Sequence, residues 1–340
     1  MKVARLLKKH QIEWTEESSD FNLGPTEVKI QTKRVGLCGS DLHFYHGTNP
    51  LAVYPRIIGH EVTGKVVEIG EKVRHLKIGS RVVINPARSC GYCYACKNGA
   101  PNVCMELSVF GIHEDGGMRD YFKIDQQQCH ELPDCLTWDQ AVLCEPYTIG
   151  TNSTKRANIQ IGETLLIHGA GTIGLTCLQL AKIRGANVLI TDVSNEKLAL
   201  AKEKGADLTC NVSEEELVDM IDSWTAGEGV NRVIDAACTN QTFEQSLEVV
   251  SAMATIVLLG LSKQPAQIPQ MLITKKQLNI TASRLQANCF EPVIRLMETG
   301  QIDTTHMITH RVSVSELERG FNLLGDPDVQ TVKVIVDFEQ

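Results

Sequence analysis

Glu163-Thr164-Leu165-Leu166-Ile167-His168-Gly169-Ala170-Gly171-Thr172-Ile173-Gly174 is an apolar run followed by three glycines in the spacing G-x-G-x-x-G. Downstream, Ile173, Cys177, Leu180 and Ala181 fall on one helical face, so the glycines join a strand to a helix. Asp192 ends the next apolar run, about 20 residues on. Gly169 makes the turn, Gly171 lets the backbone approach a pyrophosphate, and Gly174 allows close packing of helix on strand. Thr172 and Ile173 open the helix, whose N–H groups and positive dipole end suit phosphates. Asp192 can accept from both ribose hydroxyls and repels a 2′-phosphate, which favours NAD; the nearby Lys197 keeps NADP open. A tight turn with no nucleotide is the competing reading, and the surrounding pattern weighs against it.

That pattern alternates. Strands are expected at 187–192, 208–212, 231–236, 254–260 and 278–283. Between them lie a helix from Asn195 to Lys204 ended by Gly205, a helix from Ser213 with Glu216 as capping box, and a helix through Phe243 and Leu247. Six strands alternating with helices predict an α/β fold with a doubly wound parallel sheet, over 149–284.

The chain before it reads differently. Gly24-Pro25 marks a turn, and Val28 and Ile30 alternate with Lys29, Gln31 and Lys33, as in a half-buried strand. Short strands at 62–69 and 81–84, separated by Gly70 and Gly79, predict an antiparallel, barrel-like region. Cys38-Gly39-Ser40-Asp41-Leu42-His43 follows the first long strand as a loop, and Gly59-His60-Glu61 comes soon after. Thiolate, imidazole and carboxylate suit a borderline-soft ion such as zinc; a loop with one buried Cys is the plain alternative.

Cys90-x2-Cys93-x2-Cys96-x7-Cys104 is the most specific local signal. Four thiolates can close the shell of one tetrahedral zinc and staple a weakly structured lobe, with no position left for substrate. An iron–sulfur cluster is the rival occupant, and the missing prolines and second cluster motif weigh against it. His113 stands in a loop with Asp115 and Gly116-Gly117, more often a hydrogen-bonded surface His than a reacting one. Cys144-Glu145-Pro146 lies in a helix-like stretch. After Ser283 come a helix over 292–299, a second helix capped by Ser315 and Glu318, and a strand over 331–338. This tail is returned to the first lobe, giving a discontinuous domain of 1–148 and 285–340.

With 340 residues the chain is long enough for two domains. Its net charge of −8 and lack of a basic block argue against nucleic acid. No apolar run approaches the roughly 18 residues of a membrane span, and the start lacks the features of a signal peptide. A cytoplasmic protein is expected, and there twelve cysteines with four clustered point to metal rather than disulfides.

Taken in order, Cys38-Gly-Ser-Asp-x-x-His43, Gly59-His60-Glu61, the four-Cys loop, Asp115-Gly116-Gly117, Glu145-Pro146 and the glycine turn resemble the zinc-dependent medium-chain alcohol dehydrogenases over essentially the whole chain. The match looks closest to the polyol and sugar-acid branch, and Tyr54-Pro55-Arg56-Ile57-Ile58-Gly59-His60-Glu61, Asp235-Ala236-Ala237-Cys238 and Ser283-Arg284-Leu285-Gln286-Ala287-Asn288 resemble its starvation-sensing group. The resemblance implies a GroES-like catalytic domain carrying an inserted Rossmann domain, one catalytic and one structural zinc, and NAD. It implies that Cys38, His60 and Glu145 ligate the catalytic zinc, and that Glu61 is a movable second carboxylate. Ser40 would touch the substrate oxygen, His43 would be the outer proton acceptor, and Asp41 would orient His60. Arg119 departs from the small or polar residue usual there.

Hexonate (L-gulonate or L-galactonate) 5-dehydrogenase is the implied activity, with hydride transfer in a dry cleft between domains. Another polyol dehydrogenase of the family, such as one for sorbitol or threonine, is an alternative. A non-catalytic nucleotide-binding regulatory or interaction protein is a second, from another class. A sugar acid needs a cation for its carboxylate: Arg56 and Arg284 are candidates, although arginine is also favoured for ordinary ion pairs, and His113 is a third candidate for contact with the substrate. A homodimer or homotetramer is expected, with the four-Cys lobe at subunit contacts.

Overall fold

The computed structural model describes residues 1–339, which form two compact units. One comprises Pro146–Cys289 with Gln301–Asp303; the other comprises Met1–Glu145, Phe290–Gly300 and the chain from Thr304 on.

The Pro146–Cys289 unit holds a six-stranded sheet in the spatial order Leu208–Asn211, Asn187–Asp192, Thr164–His168, Val230–Asp235, Val250–Leu258, Asn279–Ala282, with every pair parallel. The first strand in sequence lies inside the sheet and the chain winds outward on both sides of it, the doubly wound order. Leu166, Leu189, Val233 and Ile256 are fully buried, as runs in a sheet covered on both faces must be. Gln301–Asp303 is held here by polar bonds that sequence order hides. Gln179 exchanges two hydrogen bonds with the Asp303 backbone, at 3.0 and 2.9 Å, and the buried Lys204 ammonium pairs with its carboxylate at 2.5 Å.

Two helix starts differ from expectation. Near 213, the Asn211 side chain accepts from Ser213 N at 3.0 Å and Glu215 reaches back to Asn211 N at 2.9 Å. These bonds fold Ser213–Glu216 into a turn, and the helix runs Leu217–Thr225. In the tail, Glu316 rather than Glu318 forms the capping box, with Ser313 rather than Ser315, before the helix Leu317–Gly325. The preceding helix runs Phe290–Glu298.

The other unit is built on a seven-stranded sheet. Six strands follow the order Ile308–Ser313, Lys333–Asp337, Glu27–Leu37, Glu61–Ile69, Arg81–Ile84, Cys129–Glu131, and Tyr121–Asp125 pairs with Glu27–Leu37. Pairing is antiparallel except between the first two strands, which are parallel. Val28, Ile30, Phe44, Ile57, Phe122 and Phe321 lie in its core. Beyond Leu37 the chain enters the helix Gly39–His46 instead of the expected loop. Asp41 starts it: its carboxylate accepts from Cys38 N at 3.0 Å, satisfying a donor that the first turn leaves orphaned. Gly47, at φ +73°, ends it in a left-handed turn.

Candidate functional site

Two neighbouring strands and one helix start bring the candidate ligands together. Cys38 caps the helix, and His60-Glu61 stand where the strand Glu61–Ile69 begins beside Glu27–Leu37. One donor atom each from Cys38, His60 and Glu61 lies within 4.8 Å of the other two. His60 and Glu61 are buried. Asp41 serves twice: its other oxygen stands 3.4 Å from His60 Nδ1, leaving Nε2 as the nitrogen free to meet a metal. Burial lowers the His60 pKa, but Asp41 and Cys38 outweigh it and hold it well above the ordinary value. A half-buried thiol beside a buried imidazole and carboxylate, with a second carboxylate behind the imidazole, fits a zinc ion.

Glu145 is buried as well but is not one of the three mutually close donors. Burial pushes its carboxyl up to about 7; Glu61 and Asp41 add to the rise, while His60 and Lys333 oppose it. Ser40 and His43 are three apart on the helix and so share a face, with Ser40 half-buried and His43 exposed. His43 Nδ1 meets Thr48 Oγ1 at 2.9 Å.

Lys333 was not foreseen as part of this site. Its side chain is 2 % exposed, and its ammonium is 2.7 Å from both Glu61 oxygens. Burial lowers its pKa, and Glu61, with Cys38 and Glu145, more than offsets this and holds it above the ordinary value. Gly36 completes the arrangement from the intervening strand, because a Cβ there would come within 2.0 Å of Glu61 Oε2.

The loop around Asp115 supports this segment. Asp115 accepts from Ile57 N at 3.0 Å and pairs with Arg56 at 3.5 Å and Arg5 at 3.3 Å. Gly116 presses so closely on Gly59 that a Cβ would stand 2.4 Å from its carbonyl oxygen. Arg56 is therefore engaged in holding the loop. Arg119 donates to the Asp115 carbonyl at 3.1 Å and lies by the Phe122 ring; burial pulls its pKa down to about 10. The exposed His113 accepts from Val109 N at 3.0 Å. Arg284, also exposed, offers its carbonyl to Asn152.

In the four-Cys lobe, Cys90 and Cys104 sulfurs are 3.4 Å apart, Cys93 and Cys96 3.5 Å, and Cys93 and Cys104 3.9 Å. These separations are too long for disulfides, and all twelve cysteines are free thiols. They approach the roughly 3.8 Å between sulfurs tetrahedrally placed about 2.3 Å from one zinc. Backbone N–H groups of Cys96 and Met105 pull the Cys93 thiol down to about 6, readying it as a thiolate.

In the other unit the glycine turn has the form its spacing predicts. Gly169 takes φ +91°, and a Cβ on Gly174 would strike the Gly169 carbonyl oxygen at 1.8 Å. A Cβ on Gly171, which caps the helix Thr172–Ile183, would meet only open space. The approach to the helix N-terminus is thus clear, as a bound pyrophosphate requires. Asp192 closes its strand beside the turn, accepting from Ala170 N at 2.8 Å and from Val193 N and Ser194 N. Ser194 caps the next helix through Lys197 N.

Comparison with known proteins agrees with both units. The model of the alcohol dehydrogenase GroES-like domain matches residues 24–134, and that of the zinc-binding dehydrogenases matches 172–299. The chain belongs to the zinc-type medium-chain alcohol dehydrogenase family, oxidoreductases acting on CH–OH groups. Among its relatives is the starvation-sensing protein RspB of Escherichia coli K12, 38% identical over 92% of this chain and 93% of that protein. L-galactonate-5-dehydrogenase of the same organism is 32% identical over 93% of each. A crystal structure of the alcohol dehydrogenase rspB from E. coli CFT073, complexed with NADH, superposes with a TM-score of 0.94 at 36% identity, covering 99% of both chains. No helix among the described residues is long and apolar enough to cross a membrane.

Proposed function

We propose that the chain oxidises a secondary alcohol of a sugar acid with NAD, as a hexonate 5-dehydrogenase of the L-gulonate type. The observation that carries the reading is the meeting of Cys38, His60 and Glu61 within 4.8 Å, in a chain that also has an open glycine turn beside Asp192. Cys38, His60 and a glutamate, Glu145 or Glu61, would hold the catalytic zinc, while Cys90, Cys93, Cys96 and Cys104 would hold the structural one. When bound, zinc supplies a Lewis acid for the substrate hydroxyl and NAD an acceptor for hydride. Asp41 fixes the His60 ring. The Ser40 hydroxyl would receive the substrate proton as it releases its own, and the exposed His43 on the same helical face would pass a proton on to solvent. Gly169, Gly171, Thr172, Ile173 and Gly174 cradle the pyrophosphate, and Asp192 receives the ribose hydroxyls. The four-Cys lobe presents Tyr94 and Met105, 83% and 86% exposed, as apolar surface for a second copy of the chain.

The sugar-acid substrate is supported by the similarity to L-galactonate-5-dehydrogenase. Arg284 and Arg56, the latter paired with Asp115, are the candidates for its carboxylate. A screen of polyols and aldonates with NAD and NADP, read by absorbance of the reduced cofactor, is expected to give the highest kcat/KM with a hexonate and NAD. Turnover confined to uncharged polyols would overturn the sugar-acid reading. Light scattering is expected to give a dimer or tetramer, and a single monomer peak would refute the oligomer.

A further inference from the structure

Alcohol oxidation at the Cys38–His60 pair does not itself call for a buried lysine, yet Lys333 is there, 2 % exposed. Its ammonium holds both Glu61 oxygens at 2.7 Å and reaches the Leu37 carbonyl at 3.3 Å. Gly36 leaves no room for a side chain behind Glu61 Oε2. The same carboxylate also lies within 4.8 Å of the Cys38 and His60 donors. Glu61 therefore stands between two cation positions, one filled by the ammonium and one suited to a metal. A carboxylate this buried needs a cation. Without Lys333, the metal would be the cation within reach.

Resting on the reading that this site holds the catalytic metal, we propose that Lys333 is a positioning residue that keeps Glu61 off the metal. Cys38, His60 and Glu145 are then the resting protein ligands, and the open position is left for substrate. Glu61 becomes a ligand only when Lys333 releases it.

The test uses enzyme carrying zinc in the four-Cys lobe and cobalt at the Cys38 site, read by the visible cobalt spectrum and by the rate of cobalt loss to a chelator. Lys333→Met is expected to weaken the visible bands, as Glu61 adds a ligand, and to slow cobalt loss about tenfold. Glu61→Gln alone is expected to leave the spectrum unchanged. The double variant Lys333→Met/Glu61→Gln should return the bands to wild type, and Lys333→Arg should keep them there. A Glu61→Gln spectrum that differs from wild type would overturn the proposal by itself, whether or not Lys333→Met folds, because Glu61 would already be a ligand. Unchanged bands and unchanged cobalt loss in Lys333→Met would overturn it too. A chain that takes up only the four-Cys metal would instead defeat the catalytic-metal reading beneath it.

Discussion

His168, immediately before the glycine turn, shows how much one buried ring can contribute. Its Nδ1 lies 3.3 Å from Thr191 Oγ1 and its Nε2 has no hydrogen-bond partner. Burial drives its pKa from 6.5 down to about 4. The unfolded chain therefore takes up this proton first as pH falls. His168's neutral form is compatible with folding above pH 6.5, and stability is lost progressively from there down to about pH 4. The loss amounts to about 3 kcal/mol. Denaturant titrations over this range are expected to show a shallower pH slope for His168→Gln than for wild type; equal slopes would contradict the assignment. The residue scale is also where the sequence was most informative about chemistry. Cys38, His60 and the four clustered cysteines announce themselves by donor type and spacing. Lys333 does not, because its partner Glu61 is 272 positions away and nothing in an alternating Val–Lys strand tells a buried lysine from a solvated one.

At the scale of elements, the alternation after Glu163 was readable because strand and helix periods differ and glycines punctuate them. The helix Gly39–His46 was hidden. Its buried residues, Asp41, Phe44 and Tyr45, include a carboxylate and two adjacent aromatics, which do not make an apolar stripe. The capping near 213 misled because Asn211 captures the backbone first. Gly36 has a more direct consequence. It sits in a central strand, where glycine is ordinarily a weakness, and it is kept open by Glu61. Gly36→Ala is expected to cost about 1–3 kcal/mol through overpacking and to displace Glu61 from Lys333. Chemical denaturation checks the cost, and wild-type stability in Gly36→Ala would show that the strand has room to spare.

For the whole molecule, the fold class, the family and the enzyme class were legible because motifs with separate physical reasons occur in one order. The hold of Gln179 and Lys204 on Asp303 was not legible, since it joins a short connecting segment to helices far away in sequence. Nor do the donors name a substrate, because they would act on the hydroxyl group that all alcohols share. The central claim is that Cys38 and His60 hold a catalytic metal separate from the one in the four-Cys lobe. Metal analysis of His60→Ala tests it most directly. The account predicts two zinc ions per wild-type chain and one in the variant, with NAD still bound and turnover abolished. Two zinc ions in the variant, or normal turnover in metal-free enzyme, would contradict it.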